Sequence, residues 1–353
     1  MQQPRQNYAK ASASAPNKII LSGEHSAVYG GKAISVPIEV NGRRNGAVAS
    51  IAKGSGRIAV TAGRQTSVIT DGNATGDREY FPVLHAAGAI LQKKAGEKLA
   101  QSDVHITLHF SGAPKGTGNS ASMSASAVCA SCAALGCTLT KQELFEATMV
   151  AENEYHAGIA SGLDPMTVCS DGPLVFRKDF SKKAVRFEYA QKKLALPEGS
   201  ALILVNALFG GKRAYTDEMI SEFAAANHVD NTPERLQAQK RKDLVAPYDM
   251  LVGEMEKQLC AEGDMQTLGE LFDENHALLS SSGVSCHAIE RVRKVARENG
   301  ALGAKLTGAG GNGGCVIVLC TTEGVADVRA ALERQDFRCF DAKFSHRGAG
   351  IDH

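Results

Sequence analysis

Residues Gly112–Ser126 read GAPKGTGNSASMSAS, a turn holding three glycines and a proline that passes straight into a run of small residues. Upstream, Val104, Ile106, Leu108 and Phe110 alternate with His105, Thr107 and His109, the period-two pattern of a strand with one buried face. Gly112, Gly116 and Gly118 permit positive φ and close approach of the backbone to a ligand, while Pro114 stiffens the entry. From Ser120 to Ala134 almost every residue is Ser, Ala, Cys, Val or Met. A helix beginning near Asn119 would aim its free N–H groups and positive dipole end into the loop. The order strand, glycine turn, helix predicts a phosphate cradle; an ordinary capped Gly-rich turn is the alternative.

Toward the N-terminus, KIILS, AISVPIEV, GAVASIA, GRIAV and TSVIT fall between residues 18 and 70 and predict a β-rich layer. Downstream, Thr140 and Glu143 have capping-box spacing, and Leu144, Thr148, Ala151 and Tyr155 continue with helical periodicity to an end near Gly158. In ASGLDPMTVCSDGPLVFRK a sharp turn is expected at Gly162–Pro165, with Asp164 extended because it precedes proline. The charged KDFSKKAVRFEYAQKK and an LPEG turn lead into the apolar strand ALILV at 201–205. That shift sets a domain boundary near Leu196, giving domains 1–196 and 197–353. Helices are expected at about 214–227, 232–261, 264–282 and 285–299, with Pro247 kinking or splitting the second. The strands CVIVLC and FDAKFS follow.

A chain of 353 residues exceeds the usual size of one hydrophobic core. Thirty-nine Lys plus Arg against 38 Asp plus Glu leave a net charge of +1 with no block of like charge, so neither nucleic-acid nor membrane-surface binding has electrostatic support. The absence of tryptophan and the 5% aromatic content argue against a base-stacking surface. MQQPRQNYAKASASAPNK has no apolar signal region and the longest apolar runs have strand length, which predicts a cytosolic protein. Nine cysteines are odd in number, and Cys129, Cys132, Cys137, Cys315 and Cys320 lie in apolar or small-residue runs, as reduced buried thiols do. Cys129 and Cys132 form C-x-x-C without a second such pair or a paired-His motif to complete a zinc site.

No G-x-x-x-x-G-K-[ST] occurs, which argues against a Walker-type ATPase. Gly308, Gly310 and Gly313 fit G-x-G-x-x-G but precede a strand-like run rather than a helix. Gly116, Gly118 and Ala121 fit G-x-G-x-x-A between strand and helix, yet no acidic residue ends a strand about 20 residues later. A nicotinamide enzyme stays as an alternative on that match.

Three segments in order resemble the GHMP kinases, the family of galactokinase, homoserine kinase, mevalonate kinase and phosphomevalonate kinase. They are SAPNKIILSGEHSAVYGGKAISVP, APKGTGNSAS and GALGAKLTGAGGNGGCVIVL, and they span nearly the whole chain. GEH followed by AVYGGKAI, together with SGLDPMTVCSDGPLVF, is most similar to the mevalonate kinase branch. The resemblance implies an α+β two-domain fold: a left-handed β-α-β unit in the N-terminal domain, a ferredoxin-like α/β sandwich in the C-terminal domain, and an active cleft between them. It implies ATP and Mg²⁺ as cofactors and mevalonate as the small-molecule partner, phosphorylated on its 5-hydroxyl; a homodimer is compatible with it. Phosphorylation of another small alcohol and a nucleotide-binding sensor of the same fold remain as alternatives.

Phosphoryl transfer needs positioned phosphates, a cation to offset charge and a group that orients or deprotonates the attacking hydroxyl. By resemblance, ATP falls to Lys115, Gly116, Thr117, Gly118, Asn119, Ser120, Ala121, Gly308 and Gly310. Ser120 and Glu152 fall to magnesium. Glu154 is the fallback, because HAGIASGLD carries one residue more than the family's HGxPSGxD. Asp164 is the expected base with Lys18 beside it, Glu24 and His25 meet the substrate, and Lys212 or Arg213 takes its carboxylate. Three departures stand out: Asn17 for the usual Gly of APGK, Asn119 for the first Ser of GLGSSA, and Asn312 with its neighbours lengthening the third glycine motif. They imply altered nucleotide affinity or specificity.

Overall fold

A computed structural model describes residues 9–158, 160–181, 186–208, 216–230 and 232–352. The chain begins β1 (Lys10–Ala15), β2 (Asn17–Ser22), β3 (Ala33–Val40), β4 (Asn45–Lys53), β5 (Ile58–Ala62), β6 (Gln65–Thr70), β7 (Asn73–Gly76), α1 (Phe81–Leu99) and β8 (Ser102–His109). It continues α2 (Asn119–Ala134), α3 (Lys141–Tyr155), α4 (Leu163–Cys169), β9 (Leu174–Asp179), β10 (Arg186–Gln191), β11 (Ser200–Asn206) and α5 (Thr216–Ala226). It closes α6 (Ala238–Gln258), α7 (Met265–Ser281), α8 (His287–Glu298), β12 (Gly303–Thr307), β13 (Cys315–Thr321), α9 (Val325–Glu333), β14 (Arg338–Phe344) and β15 (Gly350–Ile351).

Seven strands form one sheet in the order β15-β1-β4-β8-β5-β6-β7. Its β5–β8 pair is parallel, joined by a crossover through β6, β7 and α1, and the other pairs are antiparallel. Along β8, Val104, Ile106 and Leu108 face the core while His105 and His109 face out, as the alternation requires. Phe110 falls beyond the strand and is half exposed. Helix α2 packs against β1 and β4 on one side and α1 and α3 on the other. Thirteen of its 16 residues are buried, and only Ala, Ser, Cys and similar side chains allow such close neighbours on every face.

The second sheet runs β10-β9-β3-β14-β11-β13-β12, with β2 added on β3. Its strands come from both sides of Leu196, stitched by the antiparallel pairing of Val40 with Ala342 and Ile38 with Phe344. Helices α6 and α7 cover it through a core that includes Leu251, Val252, Phe272, Leu204 and Ile317.

Two local expectations are narrowed or overturned by packing. Of the kink or split expected at Pro247, the split does not occur: α6 runs through it, held by the burial of Val245, Tyr248, Leu251, Val252 and Met255 against a single lost hydrogen bond. Asp164 is not extended; it lies in the first turn of α4, where the missing N–H of Pro165 costs nothing because first-turn donors have no intrahelical acceptor. Gly162 starts that helix at φ 84°, and a Cβ there would lie 2.6 Å from the Phe187 ring. None of the nine cysteines forms a disulfide; Cys137 is only half-buried, while burial pushes the Cys129 and Cys132 thiols up to about 12. Among the described residues no helix is long and apolar enough to cross a membrane.

Candidate active site

The glycine loop leaves β8 and enters α2 where the start of the helix lines a cavity of about 300 Å³. Gly116 and Gly118 take φ 96° and 67°. A Cβ on Gly118 would sit 2.7 Å from Lys18 Cγ, and one on Gly308 would sit 2.8 Å from the carbonyl oxygen of Gly116. The third glycine motif therefore abuts the loop backbone to backbone, a packing that only glycine permits. Gly310 packs instead against the Val284 carbonyl, where a Cβ would collide with the oxygen; Ala121 is fully buried, and Lys115 is exposed at the mouth.

Strand β2 runs under the loop, and the backbone N–H of Lys18 donates to the Thr117 carbonyl at 2.9 Å. The Lys18 ammonium, almost wholly buried, meets Asp164 Oδ1 at 2.9 Å. Asp164 keeps a quarter of its side chain exposed, toward the cavity. Lysine and carboxylate thus lie on one wall with the phosphate loop beside them.

Glu152 lines the same cavity at 1% exposure, with Oε2 3.4 Å from His156 Nε2 and Oε1 buried without a partner. Burial disfavours the charged His156, but the Glu152 carboxylate outweighs it and the net shift is upward. Glu154 turns to His85 Nδ1 at 2.7 Å and does not line the cavity. Ser120 does.

His25 adopts φ 52°, stacks on Phe223 with ring centroids 5.4 Å apart, and bonds the Ala309 carbonyl through Nε2 at 2.9 Å. Burial pushes its pKa down to about 4, so the ring is neutral near pH 7. Because Nε2 donates to Ala309, Nδ1 is left as an acceptor. Glu24 is buried against Lys305, whose ammonium also donates to the carbonyls of Ile20 at 3.2 Å and Leu306 at 2.7 Å. Burial raises the Glu24 pKa and lowers that of Lys305, while the pairing opposes both shifts. Glu24 Oε2 has no partner.

Lys18, Glu24, His25, Lys115, Gly116, Gly118, Asn119, Ser120, Glu152, Asp164 and Gly308 are therefore brought together on one cavity, while Thr117, Ala121 and Gly310 are buried off its lining. Lys212 and Arg213 lie outside the described residues. Sequence reasoning missed Lys305, Phe223, Glu79 and Tyr155; of these Glu79 and Tyr155 line the cavity, with the Tyr155 hydroxyl donating to the Glu79 carbonyl at 2.8 Å. The available signal for Lys305 was a lysine inside a strand whose every residue is buried.

The GHMP kinases N terminal domain matches residues 83–172, and the GHMP kinases C terminal domain matches residues 255–339. The chain belongs to the GHMP kinase family and is an ATP-dependent small-molecule kinase. Among its relatives, the mevalonate kinase of Pyrococcus furiosus is 31% identical over 88% of this chain and 89% of that one. The mevalonate kinase of Pyrococcus horikoshii is 30% identical over 87% and 88%. The crystal structure of L. major mevalonate kinase in complex with R-mevalonate matches with a TM-score of 0.71 at 22% identity, covering 99% of this chain and 100% of that one. That likeness speaks for the fold.

Proposed function

We propose that the protein is a mevalonate kinase, transferring the γ-phosphoryl group of ATP to the 5-hydroxyl of (R)-mevalonate. The observation that carries the chemistry is the Lys18–Asp164 pair, 2.9 Å apart on the wall of the cavity that the phosphate loop also lines. Asp164 accepts the proton of the attacking hydroxyl, and Lys18, paired with it, offsets charge developing on the transferred group. The substrate assignment rests on GEH at Gly23–His25 and on curated relatives about 30% identical over most of the chain that are named mevalonate kinase.

ATP phosphates lie against the loop Lys115–Ala121 and the third glycine motif of Gly308 and Gly310, of which Gly308 lines the cavity. Mg²⁺ fits the donors present: Glu152 Oε1 is buried without a partner and Ser120 lies on the same cavity. Among the described residues no group of three acidic, His or Cys side chains could hold a metal alone, as expected for an ion completed by phosphates and water. Bound there, Mg²⁺ would neutralise phosphate charge. His25 Nδ1 accepts a hydrogen bond from a substrate hydroxyl, and Glu24 is held beside it by Lys305. Lys212 or Arg213 takes the substrate carboxylate. The cleft reading, with domains 1–196 and 197–353, is supported by a cavity wall that draws on Lys18 and Asp164 from one half and on Gly308 and Ala309 from the other. The cytosol suits such water-soluble reactants.

The test is ADP release with Mg-ATP and (R)-mevalonate beside galactose, homoserine and phosphomevalonate, for the wild type and Asp164→Asn. Mevalonate turnover that disappears in the variant is expected. Turnover of another alcohol would overturn the substrate, and no turnover at all would favour a sensor.

A further inference from the structure

Two of the three departures from the family's motifs touch each other. Asn17 Nδ2 donates to Asn119 Oδ1 at 2.8 Å, although the residues are 102 positions apart. Asn17 is fully buried: Nδ2 also donates to the Thr117 carbonyl at 3.2 Å, and Oδ1 accepts from Ser111 Oγ at 2.8 Å. Asn119 Oδ1 accepts a second bond from Asn45 Nδ2 at 3.3 Å, and its Nδ2 donates to the carbonyls of Pro114 at 3.2 Å and Ala113 at 3.4 Å. Asn45 Oδ1 in turn accepts from the Ser111 N–H at 2.8 Å.

A carboxamide has two donor hydrogens and an oxygen with two lone pairs. All four sites of Asn119 are engaged within the protein, so its side chain has nothing left to offer a phosphate. Its neighbours instead span the loop: Ala113 and Pro114 at the entry, Thr117 through Asn17 at the exit, and β2 one residue before Lys18. We propose that Asn17 and Asn119 are a coupled pair of positioning residues that hold the phosphate loop in its anion-binding conformation and in register with Lys18. This extends the nucleotide reading of the loop and rests on it. Changing one partner removes the 2.8 Å bond that ties Asn17 to Asn119, leaving the other amide with only its longer bonds of 3.2–3.4 Å to Thr117 or Asn45 at that atom, and lets the loop leave its binding geometry; changing both removes the mismatch.

The experiment is a double-mutant cycle read by calorimetric titration of Mg-ADP into the full chain, with Asn17→Gly, Asn119→Ser and the two combined. Each single variant is expected to bind roughly ten-fold more weakly, and the double variant to return to within about three-fold of wild type. Losses that simply multiply in the double variant, or singles that bind like wild type, overturn the coupling while leaving the nucleotide site intact. A wild type that binds no Mg-ADP overturns the nucleotide reading together with the pair. Should Asn17→Gly not fold, Asn119→Ser alone decides through amide hydrogen exchange. Loop amides over 112–118 should exchange faster with α7 unchanged, and unchanged loop exchange overturns the proposal.

Discussion

Replacing Gly118 by Ala adds a single methyl group, yet its effect on catalysis should far exceed its effect on folding. The residue sits at φ 67° and the new Cβ would lie 2.7 Å from Lys18 Cγ, 3.1 Å from Cε and 3.5 Å from Asp164 Oδ2. Carbon atoms in contact prefer about 3.5–4.0 Å, so the lysine has to retreat by roughly 1 Å. It cannot do so cheaply, because the contact is at Cγ rather than at the mobile end, the side chain is buried, and the Lys18 N–H is tied to the loop. The ammonium then leaves its 2.9 Å contact with Asp164. A displacement of that size in a reacting group costs about 10²-fold in rate. Backbone strain alone, about 1–2 kcal/mol for alanine at positive φ, would act on stability.

Gly42→Ala separates the two effects, since Gly42 has φ 68° with nothing within 4 Å of the added Cβ. Gly42→Ala should lose only the melting temperature that backbone strain accounts for, Gly118→Ala somewhat more because the buried lysine is displaced, and only Gly118→Ala should lose about two orders of magnitude in kcat/KM in the coupled ADP-release assay. A Gly118→Ala enzyme within three-fold of wild type would refute the reasoning, because the close approach of loop and lysine would then have no catalytic consequence.

Asp164→Asn should lower turnover by about 10²–10⁴-fold while Mg-ADP affinity, measured by calorimetry, changes far less. Lys305→Met leaves Glu24 buried without its cation, a loss of about 3–5 kcal/mol, which for a chain of this length lowers the melting temperature by about 4–7 °C. Adding Glu24→Gln should recover part of that, and an unshifted transition in the single variant would show the pair to be dispensable. Burial holds His25 near 4 against an ordinary 6.5, and His276 likewise. The unfolded chain therefore binds protons between those values that the native protein does not, and stability falls as pH drops from about 6.5 toward 4, by up to about 1.4 kcal/mol per pH unit for each group. His25→Gln, which retains a donor for the Ala309 carbonyl, should lose less melting temperature than wild type between pH 7 and pH 5.

Local chemistry was legible wherever a short segment determines its own conformation. The capping box predicted at Thr140 forms, with the Glu143 N–H bonded to Thr140 and the Glu143 carboxylate returning to the Thr140 N–H. The helix expected near Asn119 begins there, and the alternation of Val104, Ile106 and Leu108 gives the buried face of β8. Prediction fell short where packing decides. Pro247 should break a helix by its own chemistry, and only the buried apolar residues around it keep α6 whole. Asp164 before proline reads as extended until the αL start at Gly162, held against Phe187, commits the segment to α4. Helices α1 and α9 and strand β12 went unread.

The same divide runs through the site. Asp164, Lys18, Glu152 and the glycine loop were visible because their motifs are short and contiguous, but what each side chain does depends on partners far away in sequence. Lys305 reaches Glu24 across 281 positions and Asn119 reaches Asn17 across 102. In sequence the two asparagines looked like separate weaknesses in two glycine-rich motifs. Folded, they face each other, and the buried amide of Asn17 donates to the carboxamide oxygen of Asn119. A polar residue that breaks a motif in a buried place has to find a partner or be removed, because an unpaired carboxamide costs about 1–3 kcal/mol. Two such breaks in one site are therefore better read as one paired change than as two losses. The sequence could show that both were present; only the distance between them shows that they are coupled.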